Sequence, residues 1–490
     1  MLSIQTCRFW IFMLVFFSSC RKDLPPPSAD NFPQAVSNIF RGSCAVPGCH
    51  NPQSRDAAGG IDISSWDKLF EGGSGGSVVV PFRPDQSTLM FFINTYSDLG
   101  ISLFPTMPLS NSASYRQPLS RSQVLLLRDW ILSGAPSESG KVMFADNPGR
   151  KKFYVVNQGC DLVGVYDAAT RLLMRYVDAG TNVSVIESPH MIRISPDGQY
   201  FYVVLYSGNV VQKFRTSDDH MVGEVSIGTG LWNTIAISPD SKQAFAVDWE
   251  PNGKIAQIDL DNMQLTATWQ GSQLFEYPHG SAVNATGDTL YLTGQTGNFI
   301  CKVPVADPGS ATKVSLQLGI QPGTNPAVPL DCHDIVFSPD YKYYFVTCQF
   351  SNEVRMMETA GDSLLAVFPV GDFPQEMSIS EKKPYLFVSS MEDSTMVKQG
   401  RGSVAVIDYQ SRVVKFVYTG YQPHGIAVDD DKSLVYVANR NRIPAGPAPH
   451  HTSACGGRNG YITAIDMNTF ELLDFKSETA ADPYSVAVRN

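Results

Sequence analysis

The sequence predicts a small all-α domain followed by an all-β, seven-bladed β-propeller. Three observations carry this expectation. A strand of the type Tyr154-Val-Val-Asn157 returns in altered form as far as Tyr436-Val-Ala-Asn439. The stretch before about residue 140 lacks that repeat and instead spaces its apolar residues for helices. At 490 residues the chain is too long for one ordinary core. The composition agrees, because 20 Tyr, 27 Phe, 39 Gly and 32 Pro favour strands and turns over long helices. With 43% apolar and 17% charged residues the chain is globular. Its formal net charge of -10 argues against nucleic acid or an anionic surface as partner and leaves room for a positively charged redox partner.

Residues 1–19 read as an export signal: Arg8, the apolar run Phe9 to Phe17, then Ser18-Ser19-Cys20. The run falls short of the ~20 apolar residues that span a bilayer. It resembles a bacterial lipoprotein signal, which would make Cys20 the lipidated first residue of the mature protein. An ordinary cleaved signal is the alternative, since Phe17 stands where a branched aliphatic is usual. Residues 20–30 form a polar, proline-stiffened tether. The expected location is the cell envelope: the periplasm, or the outer membrane and cell surface, through the lipid anchor.

Residues 31–137 are the expected helical domain. Helices are predicted over Asn31–Phe40, Ser64–Phe70, Asp85–Tyr96 and Leu119–Leu132, the last ending at Gly134. Directly after the first comes Cys44-Ala-Val-Pro-Gly-Cys49-His50. Two thiols followed at once by histidine are what covalent haem attachment requires. The usual spacing is C-x-x-C-H; here four residues separate the cysteines, and Pro47-Gly48 supply the turn that brings them together. A local Cys44–Cys49 disulfide in a haem-free protein is the competing reading. Met107, in Phe104-Pro-Thr-Met-Pro-Leu109, is the candidate for a sixth iron ligand; Met90 sits in a helical pattern and reads as core.

This stretch resembles the planctomycete-type cytochrome c domains of environmental bacteria. The matching features are Ser43-Cys44 with Gly48-Cys49-His50, Gly60-Ile-Asp-Ile63, Val80-Pro-Phe-Arg-Pro-Asp-Gln-Ser87, Met107-Pro108, Leu119-Ser-Arg-Ser-Gln-Val and Asp129-Trp-Ile-Leu-Ser-Gly-Ala135. The resemblance implies haem c on Cys44 and Cys49, His50 as proximal ligand and Met107 as distal ligand. The longer cysteine gap departs from the usual pattern.

After Ser137-Glu-Ser-Gly140, a short polar linker, residues 145–490 repeat with a period of roughly 40–50 residues and about four strands per unit. Turns such as Ser195-Pro-Asp-Gly198, Ser238-Pro-Asp-Ser241 and Ser338-Pro-Asp-Tyr341 precede the recurring strand. The first unit lacks its opening strand, and Pro483-Tyr-Ser-Val-Ala-Val-Arg489 supplies it, closing a ring of seven. The domain resembles the tyrosine-valine-threonine-asparagine (YVTN) repeat propellers, which implies a fold and little chemistry.

Four units open with histidine: His190, His279, His333 and His424; Asn233, Gln375 and Tyr484 take about the same place in the others. The same face carries the longest loops, Met391–Ser403 and Arg440–Gly460, the latter with His450, His451 and Cys455. This set has metal-ligand chemistry, and a second metal on the propeller is one expectation. The other is that these histidines fill the repeat and bond backbone around a watery channel. Cys332 and Cys348 fall near facing strand positions, where a disulfide would fit.

Three functions follow as expectations. The first is an electron carrier whose propeller docks a redox partner protein or small-molecule substrate. The second is a haem-linked oxidoreductase with a metal or substrate site on the propeller face. The third is a haem-free surface-binding lipoprotein. No acid/base pair or activated nucleophile is recognisable, so no catalytic residue is assigned.

Overall fold

The computed structural model describes residues 29–489 apart from 111–115, 272–274, 325, 328, 398–399, 442–454 and 456–459. Residues 1–19, Cys20, His450 and His451 therefore lie outside the described residues. No described helix is long and apolar enough to cross a membrane.

Seven antiparallel sheets form a seven-bladed β-propeller. The inner strands are Pro483–Val488 in blade 1, then Pro189–Ile194, Trp232–Ile237, Pro278–Val283, Cys332–Phe337, Pro374–Ile379 and Pro423–Asp429 in blades 2 to 7. Blade 1 closes as the repeat predicts. The C-terminal strand pairs with Lys152–Asn157, placing Tyr154 opposite Ala487 and Val156 opposite Ser485. The closed ring leaves no inner edge unpaired.

The recurring sequence features each have a physical role. Second strands are buried almost throughout, as in Lys152–Asn157 and Leu434–Asn439, because neighbouring blades cover both faces. At the closure, Phe153 stacks on Tyr436 at 4.0 Å and on Tyr166 at 4.6 Å between ring centroids. In the Ser-Pro-Asp turns, the Ser195 hydroxyl donates to Asp197 Oδ1 at 2.6 Å and the Ser238 hydroxyl to Asp240 Oδ1 at 2.6 Å. Those side-chain bonds, and the matching one from Ser338 to Asp340, fix the turn that follows the inner strands of blades 2, 3 and 5.

The preceding segment corrects one expectation. Among the described residues there is no separate all-α cytochrome domain, and the structure is nearly all β. They contain four short helices: α1 (Gln34–Ser43), α2 (Trp66–Leu69), α3 (Thr88–Ile93) and α4 (Arg121–Leu132). Irregular chain and 3₁₀ turns at Arg55–Ala58, Pro84–Gln86 and Ser97–Leu99 join them. The long helix predicted over Asp85–Tyr96 breaks at both ends. The Ser87 hydroxyl bonds the Val80 amide, and the Asn94 side chain turns to the Gly100 carbonyl and the Tyr96 amide. These polar side chains compete with helical backbone bonding. Helix α4 holds its predicted course, with a Ser120–Gln123 capping box at its start.

This segment also packs against blades 1 and 7. Val80 sits in an apolar cluster with Leu173, Tyr176 and Ala480 of the propeller. The Glu478 amide donates to Gly75 O, the Ser77 hydroxyl to Leu173 O, and Arg83 pairs with Asp178 at 2.9 Å. Gly76 lies against Ser477 so closely that a Cβ there would stand 2.4 Å from the Ser477 hydroxyl. Met143 packs on both the helical cluster and the cluster between blades 1 and 2.

Candidate functional site

The Cys44–His50 stretch folds into a compact loop straight off α1. The Cys49 amide donates to Val46 O at 3.0 Å across Pro47-Gly48, with Gly48 at φ 79°. That is the turn the sequence calls for, with proline preset at the second position and glycine at the left-handed third. The His50 amide then donates to Cys44 O at 3.1 Å, and the Asn51 side chain to Val46 O at 2.6 Å. The four-residue gap is thus folded back on itself. Cys44 is buried and Cys49 half-buried, and both are thiols. Burial pushes the Cys44 thiol up to about 12; neighbouring Cys49 adds to the rise and Arg116 opposes it.

The His50 ring is half-buried, and its Nδ1 is buried without a hydrogen-bond partner. Burial holds its pKa below the ordinary imidazole value, against the Ala58 and Ile61 carbonyls, which favour the charged form. Met107 is half-buried against the apolar cluster that contains Cys44, Phe40 and Trp130, and its amide donates to Phe92 O at 2.8 Å. Around it the surface is apolar: Ile101, Leu103, Phe104 and Leu109 are exposed, Phe104 to 87%.

On the propeller, one local device gathers the axial residues. In each inner strand the ladder slips just after the first residue: Pro189 faces Leu205, and Met191 faces Val204. The same slip recurs in the other six blades. It leaves His190, Asn233, His279, His333, Gln375, His424 and Tyr484 out of the ladder, as a bulge does when it re-aims a side chain. The rings then meet: His279 and His333 centroids are 3.7 Å apart, His424 and Tyr484 3.7 Å, and His190 and Tyr484 4.3 Å.

These histidines link blades. His190 Nδ1–H donates to Asn233 O at 2.6 Å, and His424 Nδ1–H to Tyr484 O at 2.9 Å. Burial lowers the His279 pKa to about 4, against a bond to the His333 carbonyl that raises it. Among the described residues no group of three His, Cys, Asp or Glu side chains is placed to hold a metal ion. Cys455 is joined to Cys160 in a disulfide with Cα atoms 4.5 Å apart, so it is not a thiolate ligand. Cys332 and Cys348 do face each other in register, yet both are thiols, and so is Cys301.

Sequence reading missed a second ring on this face. The residue just after each second strand is Gln158, Tyr206, Trp249, Gln295, Gln349, Met391 or Arg440. Arg440 and Asp482 form a fully buried, two-bond ion pair at 2.6 and 3.0 Å, and Gln158 donates to the same carboxylate at 3.0 Å. Burial works against the Arg440 charge, but Asp482 outweighs it and the pKa stays above the ordinary arginine value. Aligning the repeats on their second strands exposes this position. One step deeper in the channel lie Asp334 and Glu376. Asp334 accepts from the Ile335 and Met377 amides, and Glu376 from the Ser485 hydroxyl. Burial pushes Glu376 up to about 8, with Arg193 opposing and Asp334 adding to the rise.

No protein-family model matches this chain, and no curated protein matches it. Among solved structures it is similar to a functionally unknown protein from Desulfotomaculum acetoxidans, at 13% identity and a TM-score of 0.51, over 69% of this chain and 98% of that one. Hydrazine synthase of Kuenenia stuttgartiensis aligns at 20% identity and a TM-score of 0.46, over 61% of this chain and 95% of that one. The first likeness shows a shared fold and nothing of chemistry.

Proposed function

We propose that this chain is an exported electron carrier in which Cys44 and Cys49 hold a covalent haem c and the propeller docks its redox partner or substrate. The observation that carries this reading is the folded loop from Cys44 to His50. It brings two thiols and a histidine together despite the long gap, and the buried His50 Nδ1 has no hydrogen bond. The donor set suits iron in a c-type haem, two thioethers flanked by imidazole and, at Met107, a soft thioether. The exposed apolar side chains around Met107 suit a flat apolar group, because soluble proteins rarely leave such a patch bare.

In this reading His50 and Met107 would be the side chains that hold the haem iron. Haem held in this way supplies one-electron transfer. The residues around it do the rest: Pro47-Gly48 set the spacing of the thiols, and the cluster of Phe40, Val124, Leu127 and Trp130 shields Cys44 from water. The Cys160–Cys455 bond supports an oxidising compartment, and with it export of the chain; lipidation at Cys20 is the further part of the proposal.

The test is a pyridine haemochrome spectrum of protein made in a host that attaches haem. Wild type is expected to show thioether-haem bands, and Cys44→Ala/Cys49→Ala none. A wild-type spectrum without those bands refutes the proposal.

A further inference from the structure

The face opposite the axial histidines carries a cavity of about 750 Å³. It is formed where the inner strands end, three residues, or about 10 Å, beyond the histidine ring. That size is in the usual range for a small-molecule site, roughly 300–1,000 Å³. Most of its lining residues are apolar, among them Ala236, Val283, Val336, Phe337 and Val428 from four different blades, while the surface they leave exposed is about equally polar and apolar.

One charged group faces this space from the innermost strands. Arg193 lines the cavity and is half-buried. Its single protein acceptor among the described residues is the adjacent Ile192 carbonyl, at 3.4 Å. A guanidinium has five N–H donors in a fixed fork, so most of its bonding capacity is left to whatever enters the cavity. Asp334 and Glu376 lie behind it in the channel, yet neither comes within ion-pair distance; their effect is to attract the guanidinium through space. Burial raises both carboxyls above their ordinary values, which weakens their hold on the Arg193 charge. Glu381 and Asp430 also line the cavity and repel negative charge placed away from Arg193.

We infer that this cavity is a binding site for a small organic monoanion, a carboxylate on an apolar body, whose carboxylate pairs with Arg193. Planar carboxylate and guanidinium match two bonds to two, and the apolar walls take the remainder of the molecule. The site is independent of the haem reading, since it shares no residue with Cys44, Cys49, His50 or Met107.

Titration calorimetry of the full chain with benzoate, benzyl alcohol and benzylammonium separates charge from shape. Benzoate is expected to bind one per chain and at least tenfold tighter than either relative. Arg193→Met is expected to reduce benzoate to the level of benzyl alcohol, while Arg193→Lys keeps part of the preference. Benzoate binding no tighter than benzyl alcohol, a preference for benzylammonium, or unchanged binding by folded Arg193→Met overturns the inference. The three-ligand comparison on wild type decides the matter even if the variants do not fold.

Discussion

The propeller and the segment before it use their apolar residues in opposite ways. In the propeller, each blade repeats the same solution, and the apolar side chains of one blade are covered by the next. In the segment before it, the helices are short and large apolar side chains around Met107 stay at the surface. A repeat that closes on itself needs no cofactor to complete its core. The segment before it keeps a buried imidazole atom without a hydrogen bond and exposed apolar side chains, and the haem proposal rests on these.

The largest expected effect breaks the closed side of this comparison. Val486 is buried in the strand that closes the ring. Val486→Asp places an unpaired carboxylate there and should cost upwards of ~3 kcal/mol. Denaturant melts would read this as a transition shifted far down or absent. A shift under about 1 kcal/mol would mean that the terminal strand does not close the ring.

A smaller effect concerns the channel. Burial pushes the Glu376 carboxyl of the folded chain up to about 8, well above its usual value, by favouring the neutral form. Between the unfolded and folded pKa values the native state binds more protons than the unfolded one. Stability must therefore fall as pH rises from about 4.5 to about 8, by on the order of a few kcal/mol. Glu376→Gln should flatten that fall in melts taken from pH 5 to 9. Parallel profiles for wild type and variant would remove Glu376 as the cause.

The smallest effect belongs to the other region. Met107 is half-buried in an irregular loop, so Met107→Ala should cost no more than about 1 kcal/mol. In haem-loaded protein it should remove the weak near-infrared band of sulfur-to-iron ligation and leave covalent attachment intact. An unchanged band would assign the sixth position to another ligand.

The two regions also differ in how much of them the sequence discloses. Ser-Pro-Asp turns and Tyr-Val-Val-Asn-like strands recur at a fixed period, so each copy checks the others. The C-terminal strand could be assigned to blade 1 from pattern alone, and it pairs there with Lys152–Asn157. No copy checks the segment before the propeller. Its periodicity suggested a helical domain, while Ser87 and Asn94 divert the backbone and Val80 packs against the propeller. The Pro47-Gly48 turn was legible because both residues restrict the backbone locally. Long-range pairings were not: Cys160 and Cys455 are 295 residues apart, and Arg440 meets Asp482 only once the ring is closed. The axial histidines were placed by the repeat, but their bonds to Asn233 O and Tyr484 O depend on the ladder slip after the first residue of each inner strand.

The central claim is that Cys44 and Cys49 carry haem, and one peptide tests it. Trypsin cleavage after Arg41 and Arg55 releases a peptide containing Cys44, Cys49 and His50 together. Mass spectrometry of this peptide, from protein made with haem-attachment machinery, should find one haem bound through both sulfurs. The same peptide with free thiols, or with a Cys44–Cys49 disulfide, would contradict the account.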